Sequence, residues 1–148
     1  MMIIRHATEE DIRHLVPLML EYIVDFYKRP NPGEHKVAQL VKQLLDHPDY
    51  GVQFLADDGA EIIGFATVYF TFSTLQVKRA AIFNDLYVRP SGRGKKIGES
   101  LFLHCLDYVR KHSFAGMQWE TAKDNFIAQS LYKKMGGHIS EWLVYEIE

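Results

Sequence analysis

Residues 81–98 read AIFNDLYVRPSGRGKKIG, and this stretch decides the fold of the chain. Its first part alternates side chains in the manner of a half-buried strand. Pro90 ends that strand, and a short loop rich in glycine and cationic residues leads into an amphipathic helix. Such a loop can point backbone N–H groups one way, at the positive end of a helix dipole. Because Arg93, Lys95 and Lys96 add positive charge around these groups, we expect the loop to hold a phosphate or pyrophosphate.

Two familiar phosphate-binding motifs do not fit this loop. The dinucleotide fingerprint G-x-G-x-x-G, counted from Gly92 and Gly94, requires glycine where Ile97 stands. A Walker loop ends in Gly-Lys-Ser/Thr, whereas Gly98 is followed by Glu99. The alternative interpretation is that the glycines only make a turn and that the basic side chains are solvated.

Size and composition indicate a single domain over residues 1–148. The chain is 47% hydrophobic and 24% charged, with a net charge of −2, which suits one hydrophobic core and argues against a broad nucleic-acid-binding face. No apolar run approaches the roughly 18 residues that span a bilayer, and the N-terminus lacks the features of a signal peptide. The single cysteine, Cys105, cannot form an internal disulfide. We therefore expect a cytoplasmic protein without membrane or nucleic-acid partners.

The N-terminal third predicts one strand and two helices. Residues 1–5 form a short strand, and Thr8 with Asp11 makes a capping pattern for the first helix. Pro17 lies inside that helix, so we expect a kink there or a later start. The second helix is carried by apolar residues at helical spacing over 37–45.

The remaining elements alternate strands and helices. Residues 52–56 and 61–72 form a hairpin around Asp57-Asp58-Gly59. The order is β-α-α-β-β-β-α-β-α-β, an α+β fold with a mixed, mostly antiparallel central sheet flanked by helices. The later predicted elements are a strand over 79–88, a helix ending about His112, a strand over 116–121, a helix over 125–135 ended by Gly136-Gly137, and a last strand over 142–147 that rejoins the sheet.

Two motifs resemble those of the GNAT superfamily of N-acetyltransferases. Residues 93–98, RGKKIG, resemble its acetyl-CoA signature Arg/Gln-x-x-Gly-x-Gly/Ala. Residues 124–137, DNFIAQSLYKKMGG, resemble its Asn-x-x-Ala-x-x-Leu-Tyr-x-x-x-Gly helix. Lys96 is a departure, because the family usually has glycine there to let the backbone approach the pyrophosphate. The resemblance implies a GNAT-like fold, acetyl-CoA as cosubstrate, and transfer of acetyl to a primary amine.

A closer resemblance is to the polyamine and yeast histone/polyamine acetyltransferases. Residues 62–75 and 83–88 resemble their central strands, and Asp85 and Tyr132 match residues of that group. The resemblance to this group also implies a homodimer.

This chain departs from the polyamine enzymes at two acidic positions. Asn84 stands where they have glutamate, and Phe26 stands where they have an acidic residue. Because those carboxylates help to hold a polycation, their absence argues against polyamine specificity, although the adjacent Asp25 could substitute in part.

The resemblance also implies which residues hold the cofactor. Backbone N–H groups from Arg93 to Gly98 bind the pyrophosphate. A strand N–H near Leu86 to Val88 polarises the thioester carbonyl, and the open strand pairs with the pantetheine arm. The cofactor-binding residues are Leu86, Tyr87, Val88, Arg93, Gly94, Lys95, Lys96, Ile97, Gly98, Asn125 and Tyr132.

The reaction implied by the resemblance needs a general acid and a general base to transfer protons. By family position Tyr132 protonates the leaving sulfur. The base is open between Asp85 and Glu120, each acting through water, and Asp85 could equally be a structural hydrogen-bond acceptor. The seven histidines show no metal-binding spacing. The predicted substrate-binding residues are Tyr22, Asp25, Phe26, Asn84 and Glu120, with Tyr27, Tyr69, Phe70 and Phe72 as further aromatic candidates.

Three functions remain open at this point. The first is an N-acetyltransferase acting by direct attack on a small amine such as a polyamine, diamine or amino acid. The second is a protein lysine or N-terminal acetyltransferase, which needs a wider substrate groove. The third is a non-catalytic acyl-CoA-binding module, which has no need of the Tyr132 hydroxyl.

Overall fold

The computed structural model describes residues 1–148. Five strands form one sheet in the order β1-β2-β3-β4-β5, antiparallel throughout except for the β4–β5 pair. The predicted α+β fold with a mixed, mostly antiparallel sheet is therefore confirmed. The elements are β1 Ile3–His6, α1 Ile12–Leu20, α2 Glu34–Asp46, β2 Gly51–Asp57, β3 Ile62–Ser73, β4 Lys78–Val88, α3 Ile97–Lys111, β5 Met117–Gln118 and α4 Phe126–Lys134.

The start of α1 is tied to the sheet by a charged network. The Asp11 carboxylate accepts the Thr8 N–H at 2.7 Å and the Thr8 hydroxyl at 2.9 Å. Arg5 of β1 donates twice to the same carboxylate at 2.8 Å and also to Asp57 of β2. These bonds hold the Asp11 pKa at about 2, chiefly through Arg5. The helix runs through Pro17 rather than starting after it, and a π-helical turn, Glu21–Phe26, continues it.

The β2–β3 connection is the predicted tight hairpin. Asp58 accepts the N–H groups of Ala60 and Glu61 at 2.8 Å. Gly59 adopts a φ of +93°, a left-handed conformation that favours glycine. The turn residues and the alternating pattern of the flanking strands therefore both indicate a hairpin at this position.

Two apolar layers cover the two faces of the sheet. One layer packs under α3, and the other packs under α1 and α2. The α3 layer includes Phe54, Ala66, Val68, Phe83, Leu101, Phe102 and Cys105, whereas the opposite layer includes Leu15, Leu18, Val41, Leu55, Phe65 and Tyr87.

The C-terminal part differs from the prediction in two ways. The strand expected over 116–121 is limited to Met117–Gln118. The strand expected over 142–147 is wrong as an element of this chain's own sheet, because those residues have no strand partner and are exposed. Alternating apolar and polar residues show only that a segment is suited to a strand. To form one, the segment must also pair with the edge of a neighbouring strand. No helix has the length and apolar content needed to cross a membrane.

Candidate active site

A β-bulge in β4 decides which face of the sheet carries the predicted acid-base residue. Thr67 of β3 pairs with Asp85 and Val68 pairs with Phe83, so Asn84 is an extra residue in the ladder. Side chains alternate along a strand, so without the bulge Phe83 and Asp85 would share a face. With it, Phe83 packs under α3, whereas Asp85 points towards Tyr22 on the other face.

The Asp85 carboxylate lies at the end of a short polar chain. Asn84 Nδ2 donates to Asp85 Oδ1 at 3.0 Å, and the hydroxyls of Thr67 and Tyr22 also interact with this carboxylate. Thr67 Oγ1 in turn accepts from Gln53 Nε2 at 3.1 Å, and both of these side chains are buried. Burial is the dominant influence and raises the pKa of Asp85, while the three hydrogen-bonding groups act in the opposite direction.

The Asp85 side chain lines a cavity of about 90 Å³. The rings of Tyr22 and Phe26 stack at 6.3 Å between centroids, and Tyr27 meets Tyr22 edge-on at 5.0 Å. The cavity is lined by Tyr22, Phe26, Tyr27, Phe83, Asn84, Asp85, Leu86, Glu120, Thr121, Asn125, Ala128 and Tyr132. The π-helical turn, the bulge of β4, the end of β5 and the start of α4 therefore meet at one place.

Tyr132 reaches this cavity from α4. Its ring packs against Phe102 at 5.8 Å and Trp119 at 5.2 Å between centroids, and burial raises its pKa to about 12. Asn125 caps the helix by accepting the Ala128 N–H at 3.2 Å. The Tyr132 phenol is thus placed by its helix cap and its aromatic neighbours, and it keeps its proton at neutral pH.

The loop after β4 presents a run of free backbone donors. The N–H groups of residues 94–99 have no hydrogen-bond acceptor within the protein, and the next one, of Ser100, donates to Lys96 O at 3.0 Å. Arg93 Nε donates back to Val88 O at 3.0 Å, which fixes the start of the loop. Lys95 and Lys96 are exposed. Unpaired donors at the start of α3 with adjacent cations fit a diphosphate group.

Lys96 adopts an unfavourable backbone conformation in this loop. It caps α3 with φ +60° and ψ +25°, in the left-handed region. A non-glycine residue in that region costs about 1–2 kcal/mol, which explains why glycine is the usual family residue. The departure noted from the sequence is accommodated by local strain, and the ammonium group stays in solvent.

The edge of β4 beside this loop has no strand partner. β4 pairs with β5 only through Ala81 and Ile82. From Phe83 to Val88 that edge is open, so its main-chain groups are available to an extended ligand in the manner of an added strand. The open edge continues directly into the loop of free donors.

Most of the predicted site residues converge on these two features. Tyr22, Phe26, Asn84, Asp85, Leu86, Glu120, Asn125 and Tyr132 line the cavity. Asp25 is exposed and does not line it. Three aromatic candidates, Tyr69, Phe70 and Phe72, line a separate groove of about 690 Å³ towards the β3–β4 turn.

Sequence reasoning missed the polar support behind Asp85. Gln53 and Thr67 are opposite each other in the β2–β3 register and are buried. The sequence does indicate these two residues, because each is a polar residue within an otherwise apolar strand. Arg89 was also missed; it pairs with Glu21 at 2.9 Å and so ties the π-helical turn to the end of β4. No group of His, Cys, Asp or Glu is arranged to hold a metal ion, and Cys105 is buried with a raised pKa.

The structure joins the open edge of β4 in a mixed sheet to a donor-rich loop at the start of α3. The profile of the acetyltransferase (GNAT) family matches residues 17–137. The chain therefore belongs to this family of N-acetyltransferases, which uses acetyl-CoA.

Individual relatives and solved structures are also described as acetyltransferases. The uncharacterized N-acetyltransferase YhfO of Bacillus subtilis (strain 168) is 33% identical over 133 residues, covering 90% of this chain and 87% of the relative. The crystal structure of a probable acetyltransferase has a TM-score of 0.88 at 28% identity, covering 99% of this chain and 97% of that one. The crystal structure of a predicted acetyltransferase with acetyl-CoA from Clostridium acetobutylicum has a TM-score of 0.81 and covers 99% of this chain and 96% of that one. At 22% identity that last likeness shows the fold alone.

The comparisons do not support membership in the polyamine and histone/polyamine acetyltransferase subgroup. None of these three proteins is named as a polyamine or histone acetyltransferase. The resemblance to that subgroup is therefore without support, and the acceptor must be argued from the cavity.

Proposed function

We propose that this enzyme transfers acetyl from acetyl-CoA to the primary amine of a small cationic molecule, by direct attack in a ternary complex. The observation that carries the proposal is the cavity beside the open edge of β4. It combines the Asp85 carboxylate with the aromatic rings of Tyr22, Phe26 and Tyr27. Carboxylates and aromatic faces both attract an alkylammonium group.

The residues that would hold acetyl-CoA are contiguous in the chain. The open edge of β4 from Phe83 to Val88 suits the pantetheine arm, and the free N–H groups of residues 94–99 suit the diphosphate. When bound, acetyl-CoA supplies an activated acetyl group as a thioester. The Leu86 main chain lies where this edge meets the cavity, which supports a role in polarising a carbonyl oxygen.

Two side chains are suited to moving the protons. An alkylammonium group with a pKa near 10.4 must lose a proton before it can attack. The Asp85 carboxylate, whose pKa is raised by burial, can accept that proton directly or through water. Tyr132 Oη, with a pKa of about 12, holds a proton that the departing thiolate can take. Glu120 also lines the cavity but is exposed, which favours substrate binding over the role of base.

The size of the cavity supports a small acceptor. Its volume of about 90 Å³ is much smaller than the about 690 Å³ of the separate groove, which favours an acceptor whose amine sits on a narrow end. The rest of the acceptor would lie towards the exposed side chains of Glu120 and Asn84. A diamine or an amino acid with a free amine fits this arrangement. The free, buried Cys105 supports a reducing compartment such as the cytoplasm.

A protein acceptor is the second candidate, because of the groove of about 690 Å³. This groove begins at Tyr69, whose pKa is raised to about 12 by burial and by the charge of Asp85. A peptide lying along α2 and β3 in this groove could direct a lysine side chain towards Asp85. The two candidates therefore differ in whether the groove is used.

The experiment is a thiol-release assay with acetyl-CoA across a panel of diamines, amino acids and lysine peptides. We expect turnover with a small amine and none with the peptides. Turnover with peptides that is lost on Leu40→Lys, a change in the groove lining, would select the second candidate. Binding of acetyl-CoA without turnover on any acceptor would contradict both and leave a non-catalytic module.

A further inference from the structure

We propose that Thr67, with its hydroxyl oriented by Gln53, is a positioning residue that keeps the Asp85 carboxylate ionised and so able to accept a proton. The inference rests on the proposed use of Asp85 as the proton acceptor and deepens it. Thr67 itself does not line the cavity, so its effect on the reaction would pass through Asp85.

Gln53, Thr67 and Asp85 form one row across three neighbouring strands. Gln53 of β2 is paired with Thr67 of β3, and Thr67 is paired with Asp85 of β4. Directly opposed residues of antiparallel strands have Cβ atoms about 4.5–5.5 Å apart, so each side chain of the row is next to the following one. Without the bulge in β4, the register would place Asn84, rather than Asp85, opposite Thr67. The bulge therefore brings a carboxylate, in place of an amide, to the buried hydroxyl.

Gln53 fixes the direction of the hydrogen bonds in this row. Its Nε2 donates to Thr67 Oγ1 at 3.1 Å and to the Met19 sulfur at 3.8 Å. Because a thioether sulfur only accepts, the Met19 contact favours the amide nitrogen of Gln53, rather than the amide oxygen, on this side. An amide NH₂ group only donates, so the single proton of the Thr67 hydroxyl is left for the Asp85 carboxylate, with which that hydroxyl interacts.

Thr67 differs from the other groups that donate to Asp85 because an acceptor molecule cannot reach it. Tyr22 and Asn84 line the cavity, so an incoming amine can compete for them. The Thr67 side chain is fully buried, and Gln53 is buried behind it. A hydrogen bond donated to a carboxylate stabilises its ionised form. Thr67 therefore offsets part of the burial that raises the Asp85 pKa, whether the cavity is empty or occupied.

Few groups around Asp85 change charge in the neutral range. Burial raises the pKa of Tyr69 and of Tyr132 to about 12 and also raises the pKa of Tyr22, so these phenols stay protonated. Glu120 is the other carboxylate that lines the cavity. Thr67→Val alters none of these groups, so a changed titration of Asp85 would report the lost hydroxyl. The titratable groups that face Asp85 are Tyr22, Tyr27, Tyr69, Glu120 and Tyr132.

The first test is the titration of the Asp85 carboxyl carbon by NMR in the protein without acceptor, with Asp85→Asn to assign the signal. Thr67→Val replaces the hydroxyl with a methyl group, and we expect it to move the midpoint upward by about one pH unit. Thr67→Ser keeps the hydroxyl and should restore the wild-type midpoint. Thr71→Val is the matched control at an exposed threonine of the same strand, and it should have no effect. A wild-type midpoint in Thr67→Val would overturn the proposal.

A double variant separates this role from a loss of packing. Thr67→Val leaves the buried amide of Gln53 without its partner in Thr67, which destabilises the chain, whereas removing both polar groups avoids that cost. Gln53→Met combined with Thr67→Val should therefore unfold at a higher temperature than Thr67→Val alone, while the Asp85 midpoint stays raised in both. A midpoint that returns to the wild-type value in the double variant would mean that Thr67 acts through packing, which overturns the proposal.

Turnover distinguishes a failure of this inference from a failure of the proposed function. With a small amine as acceptor, the acidic limb of the kcat/KM profile should move to higher pH together with the NMR midpoint. Below that limb, kcat/KM of Thr67→Val should be about tenfold lower than that of the wild type, and the two should converge at high pH. A limb that stays in place while the midpoint moves would overturn the positioning role. A midpoint that moves in a protein that acetylates no amine would support the effect of Thr67 on Asp85 and contradict the proposed function alone.

Discussion

The region before Arg110 and the region after it are built differently. All 30 buried residues lie between Ala7 and Val109, whereas no residue from Arg110 onward is buried. The first region has four antiparallel strands between two apolar layers. The second has a two-residue strand, a nine-residue helix and an exposed segment. The first region therefore supplies most of the folding free energy.

The candidate active site lies where these regions meet. Asp85 and its support come from the first region, while Glu120, Asn125 and Tyr132 come from the second. Loosely packed elements open at lower free energy than a core strand does. Groups from the first region should thus have a fixed geometry, whereas those from the second depend on how α4 and β5 pack against it.

The largest effect is expected at Asp85. Asp85→Asn removes the proton acceptor while keeping the shape of the side chain, so kcat/KM should fall at least about 100-fold. Steady-state thiol release measures this, with circular dichroism to verify the fold. Asp25→Asn is the matched control, because Asp25 is exposed and outside the cavity, and it should change kcat/KM by less than about twofold. Equal losses in the two variants would remove Asp85 from the proposed mechanism.

The next effect concerns the stability of the first region at low pH. The Asp11 pKa is lowered to about 2 from 3.8, which corresponds to about 2 kcal/mol of folding free energy. Because the folded-state pKa is depressed, this stability is present above about pH 4 and is lost as pH falls through about 2. Urea unfolding of Asp11→Asn at neutral pH should show the same loss. Glu10→Gln, at an exposed neighbouring position, should be neutral; a similar loss there would mean that the Arg5 pairing contributes little.

A smaller effect is expected at Tyr132 in the second region. Tyr132→Phe removes the proton donor but keeps the aromatic packing on Phe102 and Trp119, so kcat should fall at least roughly tenfold with unchanged affinity for acetyl-CoA. Turnover and isothermal titration calorimetry measure the two quantities. Tyr50→Phe, outside the cavity, serves as the control. An unchanged kcat would mean that the thiolate takes its proton from elsewhere.

The smallest effect is expected at the loop that precedes α3 in the first region. Lys96→Gly relieves the left-handed strain at φ +60° and should raise the free energy of unfolding by about 1 kcal/mol. Lys95→Gly is the control, since it removes an equal charge without a positive φ, and it should not stabilise the chain. Thermal unfolding distinguishes them. If both variants weaken acetyl-CoA binding equally, the two lysines act through charge alone.

Much of the fold and of the site could be predicted because local chemistry determines it. The Asp58–Gly59 turn set the hairpin, and Thr8 with Asp11 set the start of the first helix. The spacing of Asn125 and Tyr132 on one helix placed both at the cavity. In each case the interacting groups are close in sequence, so propensity and spacing carry the information.

Two features could not be predicted in this way. The bulge at Asn84 depends on the register between β3 and β4, and alternation alone would have placed Asp85 on the face of Phe83. Asp25, one residue from Phe26, was expected in the substrate site, yet only Phe26 lines the cavity. Register and helix rotation are set by packing across the sheet, which a local pattern does not contain.

The sequence by itself determined the order of most elements, the donor-rich loop and the residues that the two family motifs mark, because these follow from short-range spacing. The tertiary structure alone decided that Asp85 shares a cavity with Tyr22 and Tyr132, and that residues 142–147 have no place in their own sheet. The physical reason is that a strand's partner and the face its side chains occupy are chosen by long-range hydrogen bonds and burial.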